Sequence, residues 1–384
     1  MIEVGLFMKR LKFVHFSDLH LDSPFRSLGS DNAIVARRRK DLLEVFDDII
    51  DITKRENADL LLISGDLYEH LYVKKSTIKH INNKFMEIER TKVFIVPGNH
   101  DPYLNNSYYK NFEWSDNVFI LSDERPKIEI KELNTCIYGL GFEGFYKDSF
   151  IRDEIKTVNN EVLNILLVHG TVDMNFTKKA YNLLTSEELS NLNMDYIALG
   201  HFHNRKDNIG QKGTIYNPGS PEPLGFDEEG EHCILVGTIS KELLNIKHIN
   251  VSRRHYKSVS VNIEDIQSKE EGAEIIQSLL GDLAPQNTLL DVTLKGCTKE
   301  EVKIDGTKIK ELLDESLFYV NVEDRTIPTY DYEELKNEPG LKGLYVTKLM
   351  EMIGKAKNEK EKYLLMKSLY YGVEALEKGK IEEL

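Results

Sequence analysis

Five short stretches of this 384-residue chain carry side chains that bind metals. "FSDLH" brings Asp18 and His20, "SGDLY" brings Asp66, "PGNHD" brings Asn99, His100 and Asp101, "LVHG" brings His169, and "LGHFH" brings His201 and His203. In extended backbone residues i and i+2 point the same way, so Asp18 with His20, and His201 with His203, each read as a pincer. Asp18, Asp66 and Asn99 offer oxygen; His20, His169, His201 and His203 offer imidazole nitrogen. Those seven groups exceed the three or four protein ligands of a single catalytic zinc. Two divalent metal ions sharing one carboxylate fit better, and Asp66, alone on its stretch, is the natural bridge. Nitrogen and oxygen ligation without thiolate suits Mn²⁺, Fe or Zn²⁺.

Such a centre has an electrostatic purpose. The chain carries a formal net charge of −14, which argues against coating nucleic acid through the general surface. Two divalent ions set against the formal carboxylates Asp18 and Asp66 leave a local positive site that attracts phosphate. Two metals roughly 3.5 to 4 Å apart can hold a bridging hydroxide, orient phosphoryl oxygens and stabilise an in-line displacement.

The surrounding chain supplies elements to position these groups. "LKFVHF", "DLLLISG", "KVFIVPG", "NILLVHG" and "DYIALGH" are short apolar runs rich in Ile, Val, Leu and Phe, and they read as buried strands. Between the first two, Ile34, Leu42, Val45, Phe46, Ile49 and Ile52 repeat at helical spacing. "STIKHINNKFMEIER" continues the pattern before the third. Strand, helix, strand implies a layered α/β domain over residues 1–250, with ligands gathered at the carboxyl ends of strands.

After "HCILVGTIS" the texture changes. Residues 258–326 alternate strand and helix as a small α+β domain within 251–335, and 336–384 read as a helical tail. In the tail Val346, Leu349, Met350 and Ile353 make one apolar stripe and Leu365, Leu369, Val373 and Leu376 a second. The polar "GKAKNEKEK" breaks them apart. At 41% hydrophobic the chain can bury cores of this number. Cys136, Cys233 and Cys297 show no CxxC spacing and read as reduced, structural thiols. No apolar stretch approaches the ~20 residues of a membrane span, and "MIEVGLFMKR" lacks a secretory signal, so the expectation is a cytoplasmic protein without membrane contact.

Some features read more plainly. His15 is expected to be a satisfied core or surface residue. "RRRK" at residues 37–40 reads as a solvated helix face, since consecutive helical residues point around the axis. Arg253, Arg254 and Lys257 are either DNA contacts or a polar linker. Asp101 either orients His100 or caps turn amides ahead of Pro102.

Together, "SDLH", "GDLY", "GNHD", "VHG" and "GHFH" resemble the calcineurin-like metallophosphoesterase superfamily. With "SDLHLDSPF", "NPGSPEPLGFDEEGEH" and the small domain, they resemble its bacterial DNA repair exonuclease group, typified by SbcD and YhaO and nearer the YhaO branch. The resemblance implies a metallophosphoesterase β-sandwich flanked by helices, a capping domain that shapes access for DNA, and two metals, with Mn²⁺ the expected ion. It implies one metal on Asp18, His20, Asp66 and His203 and another on Asp66, Asn99, His169 and His201, with His100 as the catalytic histidine. It also implies a DNA exonuclease or endonuclease, the nuclease subunit of an SbcCD-like complex, and sets the "NPGSP" turn at the active cleft. A small-molecule phosphodiesterase or phosphatase on the same metal core is the alternative. The tail either folds back on the cap or docks a coiled-coil SbcC-like ATPase, and a homodimer is left open. One departure stands out: Tyr68 is followed by Glu69 and then His70, where the group commonly places a phosphate-positioning histidine next. His70 either substitutes for it through a shifted turn or is a solvated loop residue, the reading preferred here, and the cleavage mode stays open.

Overall fold

The apolar runs pair into two sheets. In chain order the strands are β1 (Leu11–Phe16), β2 (Leu60–Ser64), β3 (Lys92–Val96), β4 (Val118–Ile120), β5 (Lys127–Ile130), β6 (Thr135–Leu140), β7 (Leu163–His169), β8 (Tyr196–Gly200), β9 (Lys206–Ile209), β10 (Ile215–Asn217), β11 (Cys233–Ile239) and β12 (Leu244–Asn250). The first sheet runs β12-β11-β1-β2-β3-β4 and the second β5-β6-β7-β8-β10-β9. β1 to β4 are mutually parallel, as are β6, β7, β8 and β10; antiparallel strands flank both groups. The computed structural model describes residues 10–29, 32–146, 155, 159–173, 182–266, 268–299 and 306–378.

Alternation decides which side chains fill the space between the sheets. Leu11, Phe13, Leu60, Leu62 and Phe94 of the first sheet share one core with Ile137, Ile165, Leu167, Tyr196 and Ala198 of the second. The other face of the second sheet buries Tyr138, Leu166, Val168, Ile197 and Leu199 against Leu189, Leu192 and Met194. Strands covered on both faces explain why they read as continuous apolar runs. The architecture is the layered α/β sandwich expected from sequence.

The helix Asn32–Arg55 corrects one expectation. Arg38, within "RRRK", is fully buried. Its Nη1 donates to Asp41 at 2.9 Å and to Glu222 at 2.5 Å, and its Nη2 donates to the Pro223 carbonyl at 2.7 Å. Arg254 is buried on Asp41 (2.8 Å), and Arg253 pairs with Asp48 (2.7 Å) and Glu44 (3.4 Å). These arginines tie a helix to the segment around Glu222; Arg38 and Arg254 spend their charge inside the protein, whereas Arg253 pairs at the surface.

The chain divides into two units, Met1–Arg254 and His255–Leu384. In the second, β13 (His255–Asn262), β14 (Thr288–Lys295) and β16 (Tyr319–Asp324) form a parallel three-stranded sheet with helices Lys269–Ser278 and Gly306–Asp314, while β15 (Cys297–Lys299) pairs with β17 (Ile327–Thr329). Helices Leu341–Gly354 and Glu359–Lys378 follow, with the polar break between them. They run antiparallel: Tyr345 donates to the Ser368 carbonyl at 2.6 Å and Lys342 pairs with Glu377 at 3.0 Å. Val346, Leu369 and Val373 bury against Leu335, whereas Leu341, Leu344 and Leu364 stay exposed. Among the described residues no helix is long and apolar enough to cross a membrane.

Candidate metal centre

Four of the ligand-bearing stretches follow β1, β2, β3 and β8, and His169 is the last residue of β7; the structure brings them together. One ligand atom from each of Asp18, His20 and His203 lies within 4.8 Å of the others, and the same holds for Asp66, His169 and His201. Asp66 adjoins both groups: its Oδ2 is 3.2 Å from His169 Nε2 and 3.6 Å from His20 Nε2. Asn99 Oδ1 lies 3.1 Å from both His169 Nε2 and His201 Nδ1. His201 and His203 therefore face different groups.

Loop backbone, not the alternation of an extended strand, aims the Asp18–His20 and His201–His203 pairs. β1 stops at Phe16 and β8 at Gly200, so the ligands sit on loops just beyond. Asp18, His20, Asp66 and His201 hold positive φ values of 55, 49, 53 and 101°. A left-handed non-glycine residue costs on the order of 1–3 kcal/mol, and such residues persist where the surroundings over-determine them. Here they are pinned by backbone bonds: the Asp18 amide donates to Gly65, the His20 amide to Asp66, and the His201 amide to the Asp18 carboxylate at 3.0 Å. Neighbouring glycines are required by space. A Cβ at Gly65 would enter the His169 ring, and one at Gly98 would enter the Asp66 carboxylate.

Four histidine rings are held from behind. His169 Nδ1 lies 2.7 Å from the Ser64 carbonyl, which turns Nε2 to Asp66. His20 Nδ1 lies 2.9 Å from Glu69 Oε1, His203 Nδ1 2.6 Å from Glu228 Oε1, and His100 Nδ1 3.1 Å from Glu69 Oε2. Glu69 and Glu228, which hold these rings, are residues of the site that sequence reasoning missed. Of the two roles left open for Asp101, the turn cap is the one observed: it accepts from the amides of Asp66, Leu67 and Gly98, while the partner of His100 is Glu69. His70 is half-buried, with its Nδ1 enclosed and its ring against Phe145, so it is not the solvated loop residue expected.

These groups fit divalent cations. His20 Nε2 is buried without a hydrogen-bond partner and points at Asp66, an arrangement that wants a Lewis acid. Burial opposes charge on His169, yet Asp66 and Asp18 raise its pKa to about 9. Burial likewise opposes charge on His203, and Glu228, Asp18 and Asp66 raise it to about 9. Burial and the neighbouring His169 instead push His201 down to about 4. Clustered carboxylates thus draw positive charge into their midst, and metal ions supply it in place of protons. His100 stands at the rim with its side chain 45% exposed. Burial works against its charge, but Glu69 and Asp66 raise its pKa to about 9.

Comparison with known proteins follows the same lines. The uncharacterized metallophosphoesterase YhaO of Bacillus subtilis strain 168 is 28% identical over 228 residues, 58% of this chain and 55% of YhaO, so the match spans little more than half of that relative. The DNA double-strand break repair protein Mre11 of Saccharolobus solfataricus is 26% identical over 344 residues, 84% of each chain. The crystal structure of TT1561 of Thermus thermophilus aligns over its whole length with 63% of the chain, at 12% identity and a TM-score of 0.41. Residues 11–205, about half of the chain and the part that carries all seven expected ligand residues, match the calcineurin-like phosphoesterase family. The protein belongs to that family of metal-dependent phosphoesterases.

Proposed function

We propose that the chain is a two-metal phosphodiesterase acting on DNA, working as a nuclease subunit with a coiled-coil ATPase. The observation that carries this reading is the pair of ligand groups that adjoin at Asp66 beneath the exposed imidazole of His100. Asp18, His20, Asp66 and His203 hold one divalent ion, and Asp66, Asn99, His169 and His201 hold the other. Bound there, two such ions polarise a phosphoryl group and lower the pKa of water. His100 acts beside them. His100 donates its Nδ1–H to Glu69, and that carboxylate favours the imidazolium, whose Nε2–H neutralises the developing charge or protonates the leaving oxygen.

DNA is favoured over a small ester by the similarity to Mre11, which runs through both units rather than the family domain alone. A partner is favoured by the exposed Leu341 and Leu344 at the start of the terminal helix pair. The test is purified protein with Mn²⁺ and end-labelled single- and double-stranded DNA, beside a nucleotide ester. Chelator-sensitive cleavage of DNA is the expected result; turnover of the ester with intact DNA would move the protein to small-molecule chemistry.

A further inference from the structure

A third group of ligand atoms adjoins the two described. His20, Glu69 and His100 each bring one such atom within 4.8 Å of the others. Glu69 spans the two rings: its Oε1 lies 2.9 Å from His20 Nδ1 and its Oε2 3.1 Å from His100 Nδ1. The ring centroids stand 4.7 Å apart with their planes at 79°. One carboxylate and two imidazole nitrogens thus converge on one spot, on the side of His20 away from Asp66.

The backbone prearranges them. The Glu69 amide donates to the Leu21 carbonyl at 3.0 Å and the His70 amide to the His100 carbonyl at 2.9 Å, so the turn that carries Glu69 is tied to both loops that carry the rings. Side-chain exposure rises from 2% at His20 to 14% at Glu69 and 45% at His100. One side is therefore open for entry and for a water ligand. Around a tetrahedral zinc, with bonds of about 2.0–2.2 Å, neighbouring ligand atoms stand roughly 3.3 Å apart. The observed 2.9 and 3.1 Å fall only slightly short of that. Two imidazoles with a single carboxylate favour Zn²⁺ over Mn²⁺.

We infer that His20, Glu69 and His100 form a third cation site, selective for Zn²⁺. The zinc takes the lone pair of each Nδ1, and the proton displaced from each ring leaves to solvent. His20 then bridges two cations through its two nitrogens. This rests on the two-metal reading above.

The test titrates metal-free, full-length protein with Zn²⁺ against a chromophoric chelator, and separately with Mn²⁺ followed by electron paramagnetic resonance. Wild-type protein takes up three equivalents of Zn²⁺ and two of Mn²⁺, whereas His100→Ala takes up two of either. Anomalous diffraction at the zinc edge from wild-type crystals shows a third peak between His20, Glu69 and His100, and carries the test if His100→Ala does not fold. Two equivalents of Zn²⁺ in the wild type, a third equivalent that persists in His100→Ala, or a third peak elsewhere overturns the inference and leaves two-metal binding intact. Three equivalents of Mn²⁺ overturn the selectivity. Fewer than two equivalents of either ion overturn the two-metal reading as well.

Discussion

Asp101 clamps the loop that carries Asp66: its Oδ1 accepts from the Asp66 amide at 3.0 Å while the same oxygen holds the Gly98 amide at 2.6 Å. Oδ2 adds the Leu67 amide at 2.7 Å and the Tyr109 hydroxyl at 2.6 Å. Asp101→Ala strands these buried donors, at about 1–3 kcal/mol each where no water replaces the acceptor. The urea midpoint is expected to fall accordingly, and Mn²⁺ uptake with it, because Asp66 and Asn99 lose their common anchor. An unchanged midpoint would show that the clamp holds nothing.

His100 and its partner separate binding from turnover. His100→Ala is expected to keep Mn²⁺ content, since its ring makes no side-chain bond to the shared Asp66, and to lose about 10²–10⁴ in kcat. Glu69→Gln lowers kcat less, by freeing the His100 ring, and also loosens the metal step that includes His20. Metal analysis beside single-turnover kinetics distinguishes the two; full turnover in His100→Ala contradicts its role.

Stability below neutral pH has a named source. His15 is buried between two hydroxyls: Ser64 Oγ donates to the Ala198 carbonyl and so accepts from His15 Nε2 at 2.9 Å, leaving Nδ1 to accept from Tyr196 at 2.8 Å. Burial holds its pKa at about 3, against 6.5 when unfolded. Above pH 6.5 neither state binds the proton and the native state loses nothing. Between 6.5 and about 3 only the unfolded chain binds it, so stability falls by about 1.4 kcal/mol per pH unit as pH drops. Comparing metal-free wild type with His15→Gln at pH 7.5 and pH 5 should show an excess loss of about 2 kcal/mol in the wild type. Parallel losses would assign the effect elsewhere.

Ending the chain after residue 340 removes the terminal helix pair with its exposed leucines. The expected outcome is loss of ATPase association in a pull-down, with hydrolysis of a small phosphodiester retained. Leu341→Asp with Leu344→Asp should do the same without disturbing the buried Val346, Leu369 and Val373. Association that survives both changes removes the tail as the docking element.

The sequence made the strands and their terminal ligands legible because apolar runs and metal-binding side chains are local signals. All seven expected ligand residues gather in space, although loop backbone rather than strand alternation aims Asp18, His20, His201 and His203. Glu69 and Glu228 were illegible for a different reason: nothing in their spacing links them to His100 or His203. Glu228 meets its ring only after 25 residues of loop and strand. Arg38 did leave a trace. It precedes Leu42, Val45 and Ile49 by 4, 7 and 11 positions, which puts it on the buried stripe of its helix. Grouping it with its basic neighbours hid that placement, and only the buried Asp41 and Glu222 explain how a guanidinium can lie there.

The left-handed turns at His20 and His201 set a direction for anyone who would harden this scaffold. Glycine adopts such backbone freely, so replacements chosen for heat resistance alone would drift toward it and empty the centre. The most heat-tolerant relatives designed on that principle would be the ones least able to cut a phosphate ester.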